Sequence, residues 1–273
     1  MTLEGKSIVI TGAGSGIGRE LARDAGRRGM SMILTGRRRD RLEETANLLP
    51  SDADVVVEPA DITQAEDRLH LRQVTGKRFG SLKFLINNAG VQSVGPLPDM
   101  NDVEIENMIR TNLEAPITLT RCMLDLLTAS APSRIVNIGS LFGDIGFPLF
   151  AAYSASKSGL RGFSDALRRE LYDDGIGVTY AAPRATRTPV SALSSHLVTP
   201  MKMTLDDPAT VARDIMSAME RGARSVYPQG IERLFVLLQR LAPQLIDRSV
   251  VSQLRQVRHP ASDRNLQPTE HPG

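Results

Sequence analysis

Tyr153 and Lys157 stand four residues apart in the run Tyr153-Ser-Ala-Ser-Lys157. On a helix that spacing puts both side chains on one face. A free phenol ionises near pH ~10 and is a poor base at neutral pH, but a neighbouring ammonium favours the phenolate. Such a pair can hand a proton to a carbonyl oxygen or take one from an alcohol. Ser140, at the end of the apolar run Ile135–Ile138, can hydrogen-bond the same oxygen. Taken alone, a Tyr-x-x-x-Lys pair reads first as the face of an ordinary amphipathic helix, so the rest of the chain must decide.

A second cluster of chemistry lies near the start. In Thr11-Gly-Ala-Gly-Ser-Gly-Ile-Gly18, glycines at 12, 16 and 18 let the backbone turn tightly and come close to a pyrophosphate. Ser15, Gly16, Ile17 and Gly18 open a helical pattern whose free N–H groups and positive dipole end suit that anion. Next comes Gly36-Arg37-Arg38-Arg39, with no acidic residue from 35 to 39. Arg37 can form a charge-assisted fork with a ribose 2′-phosphate. Arg38, Arg39 and Arg41 read as the solvated start of a helix. Asp61 is a possible cap for a helix beginning near Thr63.

The elements that must position these residues follow from apolar runs and helical periodicity. Strands are expected at Ser7–Ile10, Met30–Leu34, Val55–Val57, Leu82–Ile86, Ile135–Ile138, Val178–Ala181 and Ser225–Tyr227. Helices are expected from Gly16, over Arg38–Leu49, up to about Arg78, over Glu104–Leu127 with a kink at Pro116, over Ala151–Tyr172, and over Pro208–Arg221. Strands alternating with helices imply an α/β fold, a doubly wound, Rossmann-like parallel sheet of seven strands with helices on both faces. The expected organisation is one catalytic domain over 1–230, a helical extension over 231–255 and a disordered polar tail over 256–273. No repeat or linker divides the chain.

The glycine spacing G-x-x-x-G-x-G, the Asn87-Asn88-Ala89-Gly90 turn, Asn112, Ser140 and Tyr153-x-x-x-Lys157 occur in this order, and the chain resembles the short-chain dehydrogenase/reductase family over about residues 3 to 230. The resemblance implies an oxidoreductase interconverting a carbonyl and an alcohol, with Asn112, Ser140, Tyr153 and Lys157 as catalytic residues. Lys157 would also hold the nicotinamide ribose, an oxidised nicotinamide would favour the Tyr153 phenolate, and Asn112 would anchor a water linking Lys157 to solvent. Arg37 favours NADP(H) over NAD. The dinucleotide would be held by Gly12, Ser15, Gly16, Ile17, Gly18, Arg37, Asp61 and Ile62 (the adenine-contacting pair), Asn88, Ala89, Gly90, Tyr153, Lys157, Pro183, Thr186 and Thr188, the last at the carboxamide. No metal is implied. A non-catalytic NADP-binding sensor on the same fold is the alternative, and the intact Ser140, Tyr153 and Lys157 argue against it. Family members are commonly homodimers or homotetramers, and Leu160, Phe163 and Leu167 would face either such an interface or their own sheet.

The chain departs from the family at Pro183-Arg184, where Pro-Gly is usual, and Thr186 fills a position that is usually aliphatic. Arg184 would meet an anionic substrate group or sit solvated at the rim. The apolar run Leu141–Phe150 would line a substrate cleft, with Asp144, its single charge, read as a solvated loop residue. Residues 189–204, including Leu193, His196, Leu197, Met201 and Met203, resemble the family's mobile lid. Beyond 230, apolar positions 231, 234, 235, 238, 241, 242 and 245 form one helical face, which Pro243 would break or kink. Packing against the protein, as a roof over the cleft or a subunit contact, is expected over peripheral contact with a membrane surface, because no second anchor is visible. Either placement leans towards a lipophilic ketone or 3-oxoacyl substrate.

Composition fits this picture. With 41% hydrophobic and 23% charged residues, 273 residues can bury a full core. A net charge of +2 gives no electrostatic case for nucleic acid. Cys122 is the single cysteine and reads as an inert, buried thiol. With no secretory signal and no spanning apolar run, a cytoplasmic location is expected.

Overall fold

The computed structural model describes residues 3–188, 195–199 and 203–258. Of the expected lid, Leu193, Met201 and the side chain of His196 lie outside the described residues, as does the tail from 259. Seven strands, β1 (Ser7–Thr11), β2 (Ser31–Gly36), β3 (Val55–Pro59), β4 (Phe84–Asn87), β5 (Ser133–Ile138), β6 (Ile176–Ala181) and β7 (Ser225–Val226), form one parallel sheet in the order β3-β2-β1-β4-β5-β6-β7. Ten helices accompany it among the described residues: α1 (Gly16–Arg27), α2 (Arg39–Ala46), α3 (Ala65–Phe79), α4 (Asp102–Ile109), α5 (Ala115–Thr128), α6 (Ala151–Glu170), α7 (Ser195–Val198), α8 (Pro208–Glu220), α9 (Glu232–Leu241) and α10 (Pro243–Arg258). The expected doubly wound, seven-stranded Rossmann-like sheet is the fold.

Alternation along each strand builds two cores. Ile8, Ile10, Met32, Leu34, Ile86 and Val136 meet Leu21 and Ala25 of α1 and Val211 and Ile215 of α8 on one face. Val9, Ile33, Leu85, Ile135 and Val178 meet Leu71 of α3, Leu119 and Met123 of α5 and Leu167 of α6 on the other. Strands buried on both faces have no polar side to alternate with, which is why they read as unbroken apolar runs. Leu167 and Phe163 belong to this second core and Leu160 is buried, so all three are used within the chain's own fold. The Cys122 thiol is pushed up by burial and sits 3.6 Å from the Arg68 carbonyl oxygen.

The strand order reverses between β1 and β4, which opens a crevice at the carboxyl ends of these strands. Thr11 ties the two ends together. Its hydroxyl oxygen accepts from the Asn88 and Ala89 backbone N–H groups at 2.9 and 3.0 Å and donates to the Ile86 carbonyl at 3.2 Å. The Asn88 side-chain amide donates to the Thr11 carbonyl at 2.9 Å.

The structure refines two expectations. The expected helix over Glu104–Leu127 is an unbroken helical stretch, but a π-helical turn over Arg110–Glu114 stands between α4 and α5. Pro116 lies in the first turn of α5 and has no N–H to give to the carbonyl four residues back, at Asn112, so the ladder widens where that donor is missing. The C-terminal helix also runs to Arg258, past the expected start of the disordered tail at 256.

Thr11→Val removes the hydroxyl from the crevice without changing side-chain volume much. It should lower unfolding stability by about 2 kcal/mol in urea denaturation, because two backbone donors lose their acceptor.

Candidate active site

Tyr153 and Lys157 lie in the first two turns of α6, and Ser140 caps the short 3₁₀ turn Leu141–Gly143 that follows β5. Four contacts fix the Ser140 loop. The Ser140 hydroxyl oxygen accepts from the Phe142 N–H at 3.1 Å, and the Leu141 N–H donates to the Pro183 carbonyl at 3.0 Å. Beneath it, the buried Tyr180 hydroxyl donates to the Ser140 carbonyl at 3.2 Å and lies 3.4 Å from the Ser140 N–H. Gly139 lies flat on the Tyr180 ring, where a Cβ would fall 2.2 Å from a ring carbon, so only glycine fits. Burial drives the Tyr180 phenol far above its ordinary value, so it stays a neutral hydrogen-bonding strut.

Lys157 is buried, 4% exposed, and its ammonium donates to the Ile138 carbonyl at 2.9 Å. It also lies 5.8 Å from the centroid of the Tyr153 ring. Burial pushes the Lys157 pKa down to about 8. Burial also holds the Tyr153 phenol above its ordinary value, and its hydrogen bond with the Ser140 side chain works in the opposite sense. Burial thus favours the protonated phenol, which is the proton donor, and positive charge nearby favours the phenolate, which is the base.

Asn112 sits inside the π-helical turn and is fully buried. Its carbonyl oxygen accepts from the Val91 N–H at 2.8 Å, and its amide donates to the Val91 carbonyl at 2.9 Å and the Ser156 hydroxyl at 3.1 Å. Gly90 separates Asn112 from Lys157: a Cβ there would lie 3.2 Å from the Asn112 side-chain oxygen and 3.5 Å from the Lys157 nitrogen.

One cavity of about 810 Å³ joins these residues to the glycine turn. Its lining includes the expected Gly12, Ser15, Gly16, Ile17, Arg37, Asp61, Ile62, Asn88, Ala89, Gly90, Ser140, Tyr153, Lys157, Pro183, Thr186 and Thr188. Gly18 and Asn112 stand behind the wall. A Cβ on Gly18 would fall 2.2 Å from the Gly12 carbonyl oxygen, so this glycine lets the turn close. Ser15 makes no side-chain cap on α1, and no acidic residue lies in its first turn, which leaves these N–H donors for an anion. Asp61 caps no helix. Its carboxylate accepts from the Thr63 N–H and hydroxyl at 3.0 and 2.7 Å, a local turn at the cavity wall. Thr186 donates to the Arg184 carbonyl at 2.9 Å, and Thr188 packs against Gly16. Arg41 is paired with Glu44, and Arg39 with Glu43, whereas Arg37 and Arg38 have no acidic partner among the described residues.

The structure corrects both readings of Arg184. It neither awaits an anionic substrate nor sits solvated, because its guanidinium is held by Asp206 at 2.8 Å and by Glu232 of α9. Asp144 is not a solvated loop residue either. Its side chain is fully buried and carries Arg161 of α6, the Tyr227 hydroxyl at 3.1 Å and Arg240 of α9 at 3.7 Å. These two ionic knots fasten the C-terminal hairpin over the cavity, where Phe235, Leu238, Leu245, Ile246 and Val250 add to the lining with Phe142 and Phe147. Phe142 stacks on Phe147 at 4.8 Å and meets the Tyr153 ring edge-on. Sequence reasoning missed Tyr180 and the Asp144 knot. A lone charge inside an apolar run and a tyrosine inside a buried strand were the available signals.

Comparison with known proteins agrees with the geometry. The short chain dehydrogenase family profile matches residues 6–196. The chain is 32% identical over 267 residues to dehydrogenase/reductase SDR family member 7B of Bos taurus, covering 92% of this chain and 82% of that one. It is 28% identical over 254 residues to the ketoacyl reductase HetN of Nostoc, covering 90% and 88%. Levodione reductase shares the fold, with a TM-score of 0.76 at 21% identity over 83% of this chain and 96% of that one. The chain belongs to the short-chain dehydrogenase family and is an oxidoreductase of the class that uses nicotinamide cofactors.

Asp144→Ala should cost about 3 kcal/mol in chemical denaturation, because it leaves the mostly buried Arg161 with only the longer pairing to Asp165, at 3.9 Å, and takes the acceptor from the Tyr227 hydroxyl. Arg39→Ala, which breaks a pair exposed on both sides, should change stability by less than about 0.5 kcal/mol in the same measurement.

Proposed function

We propose that the protein is an NADP(H)-dependent reductase that interconverts a lipophilic ketone or aldehyde and its alcohol. The observation that carries this reading is the meeting of Tyr153, Ser140 and Lys157 in a single cavity with the uncapped α1 terminus and the unpaired Arg37. Bound there, the nicotinamide supplies or accepts the hydride. The α1 N-terminus and the glycine turn hold the pyrophosphate, Arg37 the 2′-phosphate, and Asp61 with Ile62 the adenine. Asn88, Ala89 and Gly90 line the middle of the cofactor, and Pro183, Thr186 and Thr188 its carboxamide end.

Ser140 holds the substrate oxygen and Tyr153 gives it a proton in reduction or removes one in oxidation. Lys157 binds the ribose and favours the phenolate through its charge. Asn112 fixes the 88–92 loop beside Lys157 and stands where a proton relay to solvent would begin. The substrate side of the cavity is walled by Val91, Phe142, Ile145, Phe147, Met203 and the C-terminal hairpin, and the charge of Arg184 is spent on Asp206 and Glu232. That lining favours an uncharged apolar substrate, such as an acyl chain bearing a 3-oxo group. The ketoacyl reductase name of one relative is consistent with this class.

Titration with NADPH and NADH tests the cofactor assignment. Wild type should prefer NADPH, and Arg37→Ala should bring the NADPH affinity down towards that of NADH, a loss of roughly tenfold or more for one charge-assisted fork. Equal affinities in wild type would refute the 2′-phosphate role. Tyr153→Phe should reduce turnover of hydrophobic ketones by about 10³-fold while nucleotide binding persists. Reduction requires the protonated phenol, so kcat/KM for a ketone should fall as pH rises through its ionisation. Lys157→Met removes the cation that favours the phenolate and should move that fall to higher pH. A fall at unchanged or lower pH would contradict the assigned role of Lys157.

A further inference from the structure

Helix α9 carries more apolar surface than its packing on the protein uses. Glu232, Val236 and Arg240 are spaced four apart and share one face. This face is fastened to the protein, Glu232 to Arg184 and Arg240 to Asp144, with Val236 buried between them. Phe235 and Leu238 line the cavity, and the apolar residues on the side away from it face outward. Ile231, Leu234, Leu237 and Leu241 are between 50% and 74% exposed. Scattered exposed leucines need no explanation, but a continuous ridge on one hairpin does.

Charge indicates what covers it. Arg233, Arg248 and Arg255 are exposed on the same hairpin and have no acidic partner among the described residues, against one exposed acid, Asp247. A second copy of the chain would meet this surface across a two-fold axis and set arginines against arginines. An anionic surface meets them with opposite charge. The hairpin also borders the mouth of the cavity, since Phe235, Leu238 and Ile246 line its inside. No described helix is long and apolar enough to cross a membrane, so contact would be along the surface.

We propose that the α9–α10 hairpin docks on an anionic lipid bilayer. The ridge Ile231, Leu234, Leu237 and Leu241 enters the boundary between headgroups and acyl chains, and Arg233, Arg248 and Arg255 lie against lipid phosphates. Docked this way, the cavity mouth opens beside the acyl region. Entry of a lipophilic substrate from that side rests on the reductase reading above, whereas the docking itself does not.

The test is sedimentation of the full chain with vesicles of phosphatidylcholine and phosphatidylglycerol in equal parts, and with phosphatidylcholine alone. Wild type should sediment with the anionic vesicles, less with phosphatidylcholine, and less as salt rises. The double variant Leu234→Glu, Leu237→Glu should lose at least roughly tenfold in vesicle partition with its thermal midpoint and nucleotide binding unchanged, because both side chains are half exposed in the fold. The milder pair Arg233→Gln, Arg248→Gln should lose the preference for anionic vesicles and keep the fold. Absence of wild-type binding to anionic vesicles would overturn the proposal. So would equal binding by the leucine variant, or a concentration-dependent dimer that the leucine variant breaks while vesicles bind neither protein. None of these readouts uses turnover, so failure here is separable from failure of the reductase reading.

Discussion

A buried cation with no carboxylate beside it governs this architecture. Lys157 is set into α6 with its ammonium against the Ile138 carbonyl and the Tyr153 ring. Burying a charge without a counter-ion is costly, and its depressed pKa records that cost. Much of the surrounding structure exists to hold the cation where it is. Gly90 leaves room for the nitrogen, and a Cβ on Gly143 would fall 2.8 Å from the Lys157 backbone. Tyr180 fixes the Ser140 loop from below, and the π-helical turn delivers Asn112 to the wall behind Gly90. Strained or costly groups gathered at one place mark a site shaped for chemistry more than for stability.

The cavity is electrostatically one-sided although the chain carries a net charge of only +2. At one end are Arg37, Arg38 and the uncapped first turn of α1; at the other is Lys157. Arg19 and Arg41, close to the same turn, share the Glu44 carboxylate, whereas Arg37 and Arg38 have no acidic partner among the described residues. A dinucleotide carrying phosphates at one end and a redox ring at the other suits this distribution. The lining beneath the C-terminal hairpin differs. It is largely apolar and aromatic, and Arg184, the one arginine among the described residues that line it, is committed to Asp206 and Glu232.

The parts legible in the sequence were those encoded locally. Buried parallel strands appear as apolar runs because neither face meets water. The glycine turn and the Tyr153–Lys157 pair lie within single elements. Even so, every strand differs from its expected range at one end or both, as with β5, which begins at Ser133 instead of Ile135. Features that depend on distant partners were not legible. Arg184 looked free because Asp206 and Glu232 lie 22 and 48 residues away, and Asp144 looked solvated because Tyr227 lies 83 residues on. The π-helical turn also escaped, since helical periodicity and Pro116 together suggest a kink and do not distinguish it from a widened turn. The moment of α9 was readable, but not which face the ion pairs would turn inward.

The most direct test of the central claim is the ionisation of Tyr153 itself, followed as the tyrosinate absorbance difference between wild type and Tyr153→Phe across pH, with and without oxidised NADP. Without nucleotide, the Tyr153 phenol should ionise above its ordinary value of 10.0, held there by burial. With oxidised nucleotide bound, added positive charge beside Lys157 should bring that ionisation down towards neutral pH. An ionisation at the same pH with and without nucleotide would contradict the account of Tyr153 as the proton-transfer group.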